Sequence, residues 1–596
     1  MRSTLRIPSL RPRQALWWDV LFISTVTSGQ LNSQGIIGSV MVPTESIAQG
    51  MLHAGTDQYA WMNASYALTA GLFVILGGRL GDKYAAKNLF LLGYLLLAVF
   101  NLITGFLSSA VPFHVLRALT GIGAAFVVPN AVALLARQYP PGMRRTVAFA
   151  VLGALAPIGF QIHAAFASLV LERIGPRWIF WLEAIASVVF LLLGTMIIPP
   201  DEGDPSIPVD WVGAALGLSG MTLFNFAWNQ APLPGWEDPY VPTLLAVGLL
   251  LVVLFFLWER RQGERALLPT VIFTKDVVGV CLALWWGWMS FGIFLYYTIG
   301  MIRDIRGFHQ PLVICAQLVT LAPFGALAAL CVVWLNSHVK GHFTLAAAMA
   351  CFCVGNLIMG LTPRDQSFWA MIFPAEVVVV FGPDLSFASG ALIIANSVPS
   401  SMAGIGGGLI TLMSIGLGIA GTIEMQTNSD GGDILRGYHA AFWFAAATMS
   451  RRVSTVELTG YQETSVRTAN SGWGTLRRLT CGSGGMGLTQ CLFNDGEPLA
   501  ELLRLLLDEL EFLVLFGQRL STGFALARKR IAESVQLCRA CRFGGLLVPL
   551  RRFRGRSLFG SALSYSDWAP SNLGQQCLPQ CRVFCENDGA GDMARS

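Results

Sequence analysis

The chain has 596 residues, of which 54% are hydrophobic and 13% are charged, and its net charge is +5. Soluble domains carry about 25% charged residues, so this composition excludes an ordinary soluble protein. We therefore expect an all-α polytopic membrane protein, surrounded by the lipid bilayer and without a nucleic-acid partner.

The first predicted elements are a cytoplasmic N-terminus, residues 1–15, and a six-helix bundle within residues 16–199. A helix needs about 20 apolar residues to cross a hydrocarbon core of ~30 Å, and the apolar runs of this chain have that length. The six runs are 16–42, 59–80, 89–109, 113–136, 146–171 and 177–199. The first run is too long for a cleavable signal peptide and has no small-residue cleavage site.

A polar, proline-containing linker, residues 200–210, follows the first bundle, and residues 211–258 are predicted to form an extra helix pair. Residues 277–449 are predicted to form the C-terminal bundle. The eight runs of these two segments are 211–230, 240–258, 277–301, 311–335, 342–361, 367–395, 403–425 and 436–449. The last run keeps about 14 apolar residues before Arg451, so we predict that its helix is truncated.

Basic residues in the connecting loops predict that the N-terminus is cytoplasmic. With that orientation, fifteen Lys and Arg residues of the N-terminus and loops lie inside and six lie outside, as the positive-inside rule requires. The same alternation accommodates thirteen or fourteen spans.

One arginine lies within a predicted span. A charged side chain in the bilayer costs at least ~2.5–3.5 kcal/mol, so its presence needs a physical reason. Arg117 lies about five residues into the fourth span, and Gly121 and Gly123 follow it. The glycines would let a neighbouring helix pack against the turn that carries the guanidinium. The alternative is an interfacial side chain that reaches the outer headgroups.

The acidic residues within the predicted spans are candidates for proton coupling. They are Asp19, Glu183, Glu376, Asp384 and Glu424. Asp19 and Glu424 lie near span ends, whereas Glu183 and Asp384 lie deeper. Burial favours the neutral form of a carboxylate, which suits reversible protonation. We therefore predict Glu183 and Asp384 as proton-coupling residues, with a structural hydrogen-bonding role as the alternative for each.

The fifth span contains Gly153, Pro157 and Gly159. Proline within a helix frees a backbone carbonyl and bends the helix, and flanking glycines permit tight packing. We predict a hinge here, beside a polar path lined by Gln161 and His163. The alternative is an ordinary packing kink.

The ninth span is unusually aromatic. Trp285, Trp288 and Tyr296 are predicted to line a cavity for an amphipathic organic substrate. Tryptophan and tyrosine near span ends also form interfacial belts, so a belt or a packing role is the alternative.

The sequence contains no clear motif of an enzyme active site. We find no nucleophile–base, phosphate-loop or metal-ligand pattern above chance, and we predict no enzyme activity, no cofactor and no metal site. The glycine run 404–408 lies in an apolar segment without a preceding strand, so we assign it to helix packing rather than nucleotide binding. Energy for transport must then come from an ion gradient or from the solute itself.

Residues 450–596 form an atypical Cys/Arg/Gly-rich tail with seven of the twelve cysteines. These cysteines lack the histidines and the spacing of a zinc finger. The acidic residues in the amphipathic stretch 499–516 argue against a further span there. We hypothesise that the tail is a divergent or wrongly spliced reading of the gene, and transcript sequencing across residue 450 tests this.

The loop between the second and third spans resembles a known signature. Gly78, Asp82, Lys83 and Lys87 resemble the cytoplasmic loop motif of the major facilitator superfamily, in which Ala85 replaces the usual second glycine. The resemblance implies that this gate loop latches the cytoplasmic side.

The fourth and fifth spans extend the resemblance to that superfamily. Arg117 with its two glycines resembles the fourth-helix motif, although Thr120 stands where glutamine is usual. Residues 153–159 resemble the antiporter motif of the fifth helix, although Ala156 stands where glycine is usual. The first motif implies that Arg117 takes part in proton coupling.

Within the superfamily, the linker and the extra helix pair favour the fungal fourteen-span drug:proton antiporter group. Residues 134–141, 225–230, 384–387 and 396–399 resemble aminotriazole-resistance and low-affinity ammonium transporter-like proteins. The resemblance covers roughly residues 15–449. It implies two six-helix bundles of major facilitator type around a central cavity, which work by alternating access.

These features predict a secondary active transporter that exports small organic or toxic compounds and is driven by the proton gradient. One alternative is a transporter of ammonium or another small solute; another is a transport-inactive membrane protein, because of the truncated last span and the tail. The expected partners are a small-molecule substrate, protons and lipid. We expect a monomer in the plasma membrane, with the vacuolar membrane as the alternative.

Overall fold

The computed structural model describes residues 12–140, 142–267, 275–397, 419–424, 427 and 433–449. Within these ranges the chain folds into α-helices with short 3-10 and π-helical turns, and it contains no β-strand. The predictions for the glycine run 404–408 and for the tail 450–596 fall outside the described residues.

The described helices follow the predicted spans closely. The first bundle contains α1 (Pro12–Met41), α2 (Tyr59–Leu72), α3 (Val74–Tyr84), α4 (Ala86–Thr104), α5 (Ala110–Gln138), α6 (Met143–Ile174) and α7 (Arg177–Ile197). The extra pair is α8 (Trp211–Gln230) and α9 (Tyr240–Gln262). Then come α10 (Lys275–Gly300), α11 (Pro311–Gln317), α12 (Leu321–His338), α13 (Gly341–Gly360), α14 (Ile372–Val379), α15 (Phe381–Ser397) and α16 (residues 434–449).

Among the described residues, nine helical segments are long and apolar enough to cross a membrane, and a tenth is added if the bent pair α2–α3 forms one span. The prediction of an all-α polytopic membrane protein is confirmed. Helices α1 and α8, with 30 and 20 residues, are also long enough to cross a membrane but are not among these nine segments. The total of fourteen spans stays a prediction, because most of run 403–425 lies outside the described residues.

Three spans that the sequence analysis treated as continuous are interrupted in the structure. The second is bent by 41° at Phe73, between α2 and α3, and the other two lie in the C-terminal bundle. The tenth span consists of α11 and α12, separated at residues 318–320, and the twelfth consists of α14 and α15, separated at Val380. Pro323 and Pro383 lie shortly after these breaks. Proline has no N–H and clashes with the carbonyl four residues earlier, which explains why each helix ends where it does.

Glycines allow the closest helix contacts in the first bundle. Gly38 of α1 faces α6 and Gly159 of α6 faces α1, and a Cβ at either position would collide with a backbone oxygen of the other helix. Gly123 of α5 faces the backbone of α4 in the same way. Small residues permit such close approach in lipid, where helix association depends on van der Waals packing.

The extra helices α8 and α9 form a hairpin that packs through Gly220 and Gly248. The hairpin joins the first bundle at α2, where the indole N–H of Trp61 donates to the side-chain oxygen of Gln230 at 3.1 Å. Only 17% of the most apolar 18-residue stretch of α9 is buried, so most of this helix is left to face lipid.

Candidate functional site

Arg117 is buried between helices and does not extend to a membrane surface. The residue is 1% exposed, and its guanidinium donates to the carbonyl oxygen of Ile36 in α1 at 3.1 Å. The guanidinium also lies over the ring of Tyr66 in α2, 4.8 Å from its centroid. The hydroxyl of Tyr66 donates in turn to the carbonyl of Ser33 at 2.9 Å. The structure therefore favours the packed arginine over the interfacial one.

Glu183 of α7 lies near this arginine, and His163 of α6 lies next to Glu183. Glu183 is 8% exposed, and its Oε1 lies 3.8 Å from Nδ1 of His163. Neither carboxylate oxygen has a hydrogen-bond partner among the described residues, and the carboxylate interacts electrostatically with Arg117. The imidazole packs against Gly35 of α1. We call Arg117, His163 and Glu183 the Arg117 cluster, which brings together two predicted proton-coupling residues and one predicted cavity residue.

The glycines after Arg117 have the packing role that their spacing predicted. A Cβ at Gly121 would collide with Thr69 of α2. The hydroxyl of Thr69 donates across this contact to the carbonyl of Ala118 in α5 at 2.5 Å. Close packing of α2 on α5 thus fixes the turn that carries the guanidinium.

The fifth-span motif lies at a contact between the first bundle and the later helices. Pro157 packs against Gly325 of α12, where a Cβ would lie 2.5 Å from the proline ring. The amide of Gln161 donates to the carbonyl of Cys315 in α11 at 2.9 Å. Gly153 faces open space, because a Cβ at this position would have no atom within 4 Å. Gln161 therefore joins two helices, and the predicted hinge at Gly153, Pro157 and Gly159 stays a prediction.

The gate loop forms an ion-pair network with two residues that the sequence analysis did not select. Arg137, at the end of α5, pairs with Asp82 at 3.0 Å and with Asp201 of the linker at 2.8 Å. The buried carboxylate of Asp201 also accepts the backbone N–H groups of Ala86 and Lys87 at 2.9 and 3.1 Å. Asp201 thus caps the N-terminus of α4, where a negative charge is stabilising.

The remaining gate residues differ in how far they join this network. The ammonium of Lys87 donates to the carbonyl of Ile198 at the end of α7. The ammonium of Lys83 lies over the ring of Tyr84, 5.7 Å from its centroid. Gly78 has room for a Cβ at ordinary contact distance, so close packing does not require glycine there.

The linker is bound to the gate loop by its backbone. The N–H of Asp204 donates to the carbonyl of Asp82 at 2.9 Å. The hydroxyl and N–H of Ser206 donate to the Asp204 carboxylate and hold the pKa of Asp204 below its ordinary value. This carboxylate therefore stays ionised at neutral pH.

Ala85 occupies a strained backbone conformation, with φ +78° and ψ 132°. This is the position at which glycine is usual in the resembled loop motif. Residues with a Cβ avoid positive φ, so the turn between α3 and α4 keeps a conformation for which alanine is poorly suited.

Replacing Ala85 with glycine is expected to raise the free energy of unfolding by about 1 kcal/mol. The relieved strain of about 1–3 kcal/mol exceeds the entropic cost of glycine, about 0.4–1 kcal/mol. Thermal unfolding of the purified protein in detergent measures the effect. The control Ala98→Gly, within α4, should instead lose about 1 kcal/mol. An Ala85→Gly protein no more stable than wild type would contradict the assigned strain.

Replacing Asp201 with asparagine is expected to lower the free energy of unfolding by about 1.5–3 kcal/mol, because it removes the charged acceptor shared by Arg137 and two backbone donors. The exposed neighbour Glu202 offers a matched control, and Glu202→Gln should leave the thermal midpoint unchanged. Equal losses in the two variants would show that the Asp201 contacts are not specific.

A second polar cluster joins the two bundles on the side predicted to be extracellular. Glu45, which follows α1, lies 3.1 Å from Nδ1 of His309 and 4.0 Å from Nε of Arg303, both of which follow α10. Arg303 pairs with Asp304 at 2.6 Å, and the hydroxyl of Tyr438 in α16 donates to Asp304 at 2.5 Å. We call these five residues the outer cluster.

The predicted aromatic cavity residues share one face of α10. Among the candidate spans of the described chain, α10 is the most enclosed, because 72% of its most apolar 18-residue stretch is buried. Its partly exposed stripe includes Cys281, Trp285, Trp288, Phe291 and Tyr296. Residues three, four, seven or eight positions apart fall on one side of a helix. Trp285, Trp288 and Tyr296 therefore lie on the partly exposed side of α10, which we call its open face.

The acidic residues of the C-terminal bundle differ in their side-chain exposure and in their contacts. Glu376 of α14 is 0% exposed and accepts the hydroxyl of Thr320, while its Oε1 has no partner among the described residues. Asp384 lies in the first turn of α15 and is partly exposed. Glu424 accepts the hydroxyl of Tyr297 at 2.8 Å. Glu376, which was not selected, is therefore the more enclosed carboxylate.

Comparison with known proteins places this chain in a family. A family model described as Major Facilitator Superfamily matches residues 26–422. A low affinity ammonium transporter of Saccharomyces cerevisiae is 35% identical over 463 residues, covering 75% of this chain and 89% of that protein. The efflux pump terJ of Aspergillus terreus is 33% identical over 446 residues, covering 72% of this chain and 86% of that protein.

A solved structure is similar in fold. It is the crystal structure of a peptide transporter, POT, in complex with sulfate, with a TM-score of 0.54 and 16% sequence identity. The match covers 77% of this chain and 97% of that one. At this identity the likeness concerns the fold alone, and it agrees with the helical architecture described above.

Proposed function

Because the chain belongs to the major facilitator superfamily of membrane transporters, we propose that it exports small organic or toxic compounds in exchange for protons. Its relatives are transporters and not enzymes. The observation that carries the proposal is the Arg117 cluster, in which a buried carboxylate lies beside an imidazole and a guanidinium. The similarity to an efflux pump supports the direction of transport.

Glu183 is the proton acceptor in this proposal. Its carboxylate has no hydrogen-bond donor among the described residues, and Arg117 is the positive charge that interacts with it. Charges in a low-dielectric site interact strongly. Protonation of Glu183 removes its attraction to Arg117. The electrostatic interaction that holds α5, α6 and α7 together is thereby weakened. Since α6 contacts the second bundle through Pro157 and Gln161, that change reaches the contact between bundles.

The proton gradient supplies enough free energy for export. One proton moving down ~100 mV contributes about 2.3 kcal/mol, and one pH unit contributes about 1.4 kcal/mol. Together these support a substrate gradient of roughly 500-fold. ATP is therefore not required.

The open face of α10 is the proposed substrate surface. Ligand sites are mostly apolar and aromatic with a few polar groups, and Trp285, Trp288 and Tyr296 provide such a lining. The outer cluster closes the extracellular side by joining Glu45 to Arg303 and His309. We propose that this is the conformation in which the substrate enters from the cytoplasm.

A second candidate function is transport of ammonium or another small solute. The similarity to a low affinity ammonium transporter favours it, and aromatic faces also attract ammonium ions.

A third candidate is a transport-inactive protein. The last apolar run, residues 436–449, keeps about 14 residues before Arg451, fewer than the about 20 that a helix needs to cross the hydrocarbon core.

The cellular setting completes the proposal. We propose a monomer in the plasma membrane, with the vacuolar membrane as the alternative, and no cofactor beyond the proton gradient. The multi-pass membrane character itself follows from the apolar helices and the family.

The test is accumulation of toxic organic compounds and of labelled methylammonium in cells that express the full chain, with and without a protonophore. Lower accumulation of an organic compound, restored by the protonophore, is the expected result. Changed methylammonium uptake alone would favour the second function. No change in either, with the protein present in the membrane, would favour the inactive protein.

A further inference from the structure

The two broken spans of the C-terminal bundle meet at one buried carboxylate. Glu376 precedes the break between α14 and α15 by one helical turn, and Thr320 lies in the break between α11 and α12. The hydroxyl of Thr320 donates to Oε2 of Glu376. A hydroxyl in one helix break thus binds a carboxylate beside the other break.

The environment of Glu376 leaves its charge uncompensated. The residue is 0% exposed, and Oε1 has no hydrogen-bond partner among the described residues. Burying an isolated carboxylate costs several kcal/mol unless it is paired or neutralised. One neutral hydroxyl does not provide a counter-charge, so an ionised Glu376 needs a bound cation to offset the cost of its burial.

The helices packed against α14 do not supply that cation. They are α12, α13 and α15, and their titratable side chains are Cys331, His338, His342, Cys351, Cys353 and Asp384. Within the described chain, none of these is a hydrogen-bond or ion-pair partner of Glu376. Among the described residues no side chain supplies a positive charge to this carboxylate, whereas a small external cation could.

The site also adjoins the contact between the two bundles. The break at residues 318–320 lies between two points at which the tenth span contacts α6, namely Cys315 with Gln161 and Gly325 with Pro157. A shift of Thr320 on release of the cation would therefore displace helices on which the first bundle rests. Interrupted helices form ion sites in several families of transporters.

We propose that Glu376 and Thr320 form a binding site for a small monovalent cation, a proton or Na⁺, whose occupancy controls the contact between α6 and the broken tenth span. This site is separate from the Arg117 cluster. The inference rests on the proposed ion-coupled transport and assigns it a second ion-binding position.

Two measurements on the full-length purified protein test the site. The first is the thermal midpoint in detergent, titrated with protons in sodium-free choline buffer and with Na⁺ at alkaline pH. A ligand that binds only the folded state raises the midpoint as its concentration rises. Wild type should gain stability with protons alone if the ligand is a proton, and with Na⁺ at alkaline pH if it is sodium.

Variants test whether the cation dependence of the thermal midpoint arises at Glu376 and Thr320. Glu376→Gln mimics the neutral carboxyl and should lose the cation-dependent rise, and Thr320→Val should weaken it. Thr344→Val is the matched control, because Thr344 is another fully buried threonine whose hydroxyl has no partner among the described residues. The site is refuted if Glu376→Gln keeps the wild-type dependence, or if wild type responds to neither cation.

The second measurement separates this site from the proposed function. In proteoliposomes, Glu376→Gln should lose gradient-driven accumulation of an exported compound but retain substrate exchange at equal concentrations. Wild type without gradient-driven transport would refute the proposed function, and the thermal titration would still decide whether the cation site exists. Gradient-driven accumulation by Glu376→Gln equal to wild type would overturn the role of the site in coupling.

Discussion

Replacing Arg117 with alanine is expected to abolish protonophore-sensitive export. The guanidinium is bound to the carbonyl of Ile36, to the ring of Tyr66 and electrostatically to Glu183, so the variant loses contacts that hold α1, α2, α5 and α7 together. It also leaves Glu183 buried without its counter-charge, and breaking a buried charge pair costs about 3–5 kcal/mol. Export is measured as accumulation of the compound per unit of protein in the membrane.

Lower protein abundance is separated from lost function by a second substitution. Glu183→Gln removes the uncompensated carboxylate, so the double variant Arg117→Ala/Glu183→Gln should recover membrane abundance without recovering export. Arg173→Ala, at the exposed outer end of α6, is the matched control and should export normally. Normal export by Arg117→Ala would contradict the role assigned to the cluster.

Replacing Gly159 with alanine is expected to be strongly destabilising, whereas the same change at Gly153 is not. A Cβ at position 159 would collide with the carbonyl oxygen of Leu31. Because that oxygen belongs to the backbone of α1, it cannot rotate away as a side chain would. Overpacking of this kind costs about 1–3 kcal/mol and occasionally more. The thermal midpoint of the purified protein in detergent measures the loss.

Comparison with Gly153→Ala separates the effect of close packing on stability from the effect of helix propensity. Nothing lies within 4 Å of a Cβ at Gly153, and alanine in a helix is favoured over glycine by about 1 kcal/mol. Gly153→Ala should therefore raise the midpoint, if it changes at all. Similar decreases for both variants would mean that the approach of α1 to α6 does not explain the need for glycine at position 159.

Much of this fold can be predicted from the sequence because lipid imposes simple rules on length and polarity. The predicted runs 113–136 and 211–230, for example, correspond to Ala110–Gln138 and Trp211–Gln230. The unusual residues Arg117 and Glu183 were also identifiable, since charge in an apolar run is costly. Their proximity was not, because it depends on how α5 and α7 pack.

The parts that could not be predicted depend on contacts between distant segments. Arg137 and Asp201 looked like ordinary loop charges, and only the folded linker brings them together at 2.8 Å. Glu376 looked like one of five similar acids. Its contact with Thr320 depends on how two separate spans pack. The helix breaks have local signals, Pro323 and Pro383, but these prolines also fit continuous spans.

The most direct test of proton-driven export uses purified protein in liposomes with an acidic lumen and no membrane potential. A compound that the cell assay identifies as exported should accumulate in the lumen, alkalinise it, and do neither when a protonophore removes the gradient. Glu183→Gln protein should show neither effect. Accumulation that proceeds equally without the pH gradient, or without movement of protons, would contradict coupling through this chain.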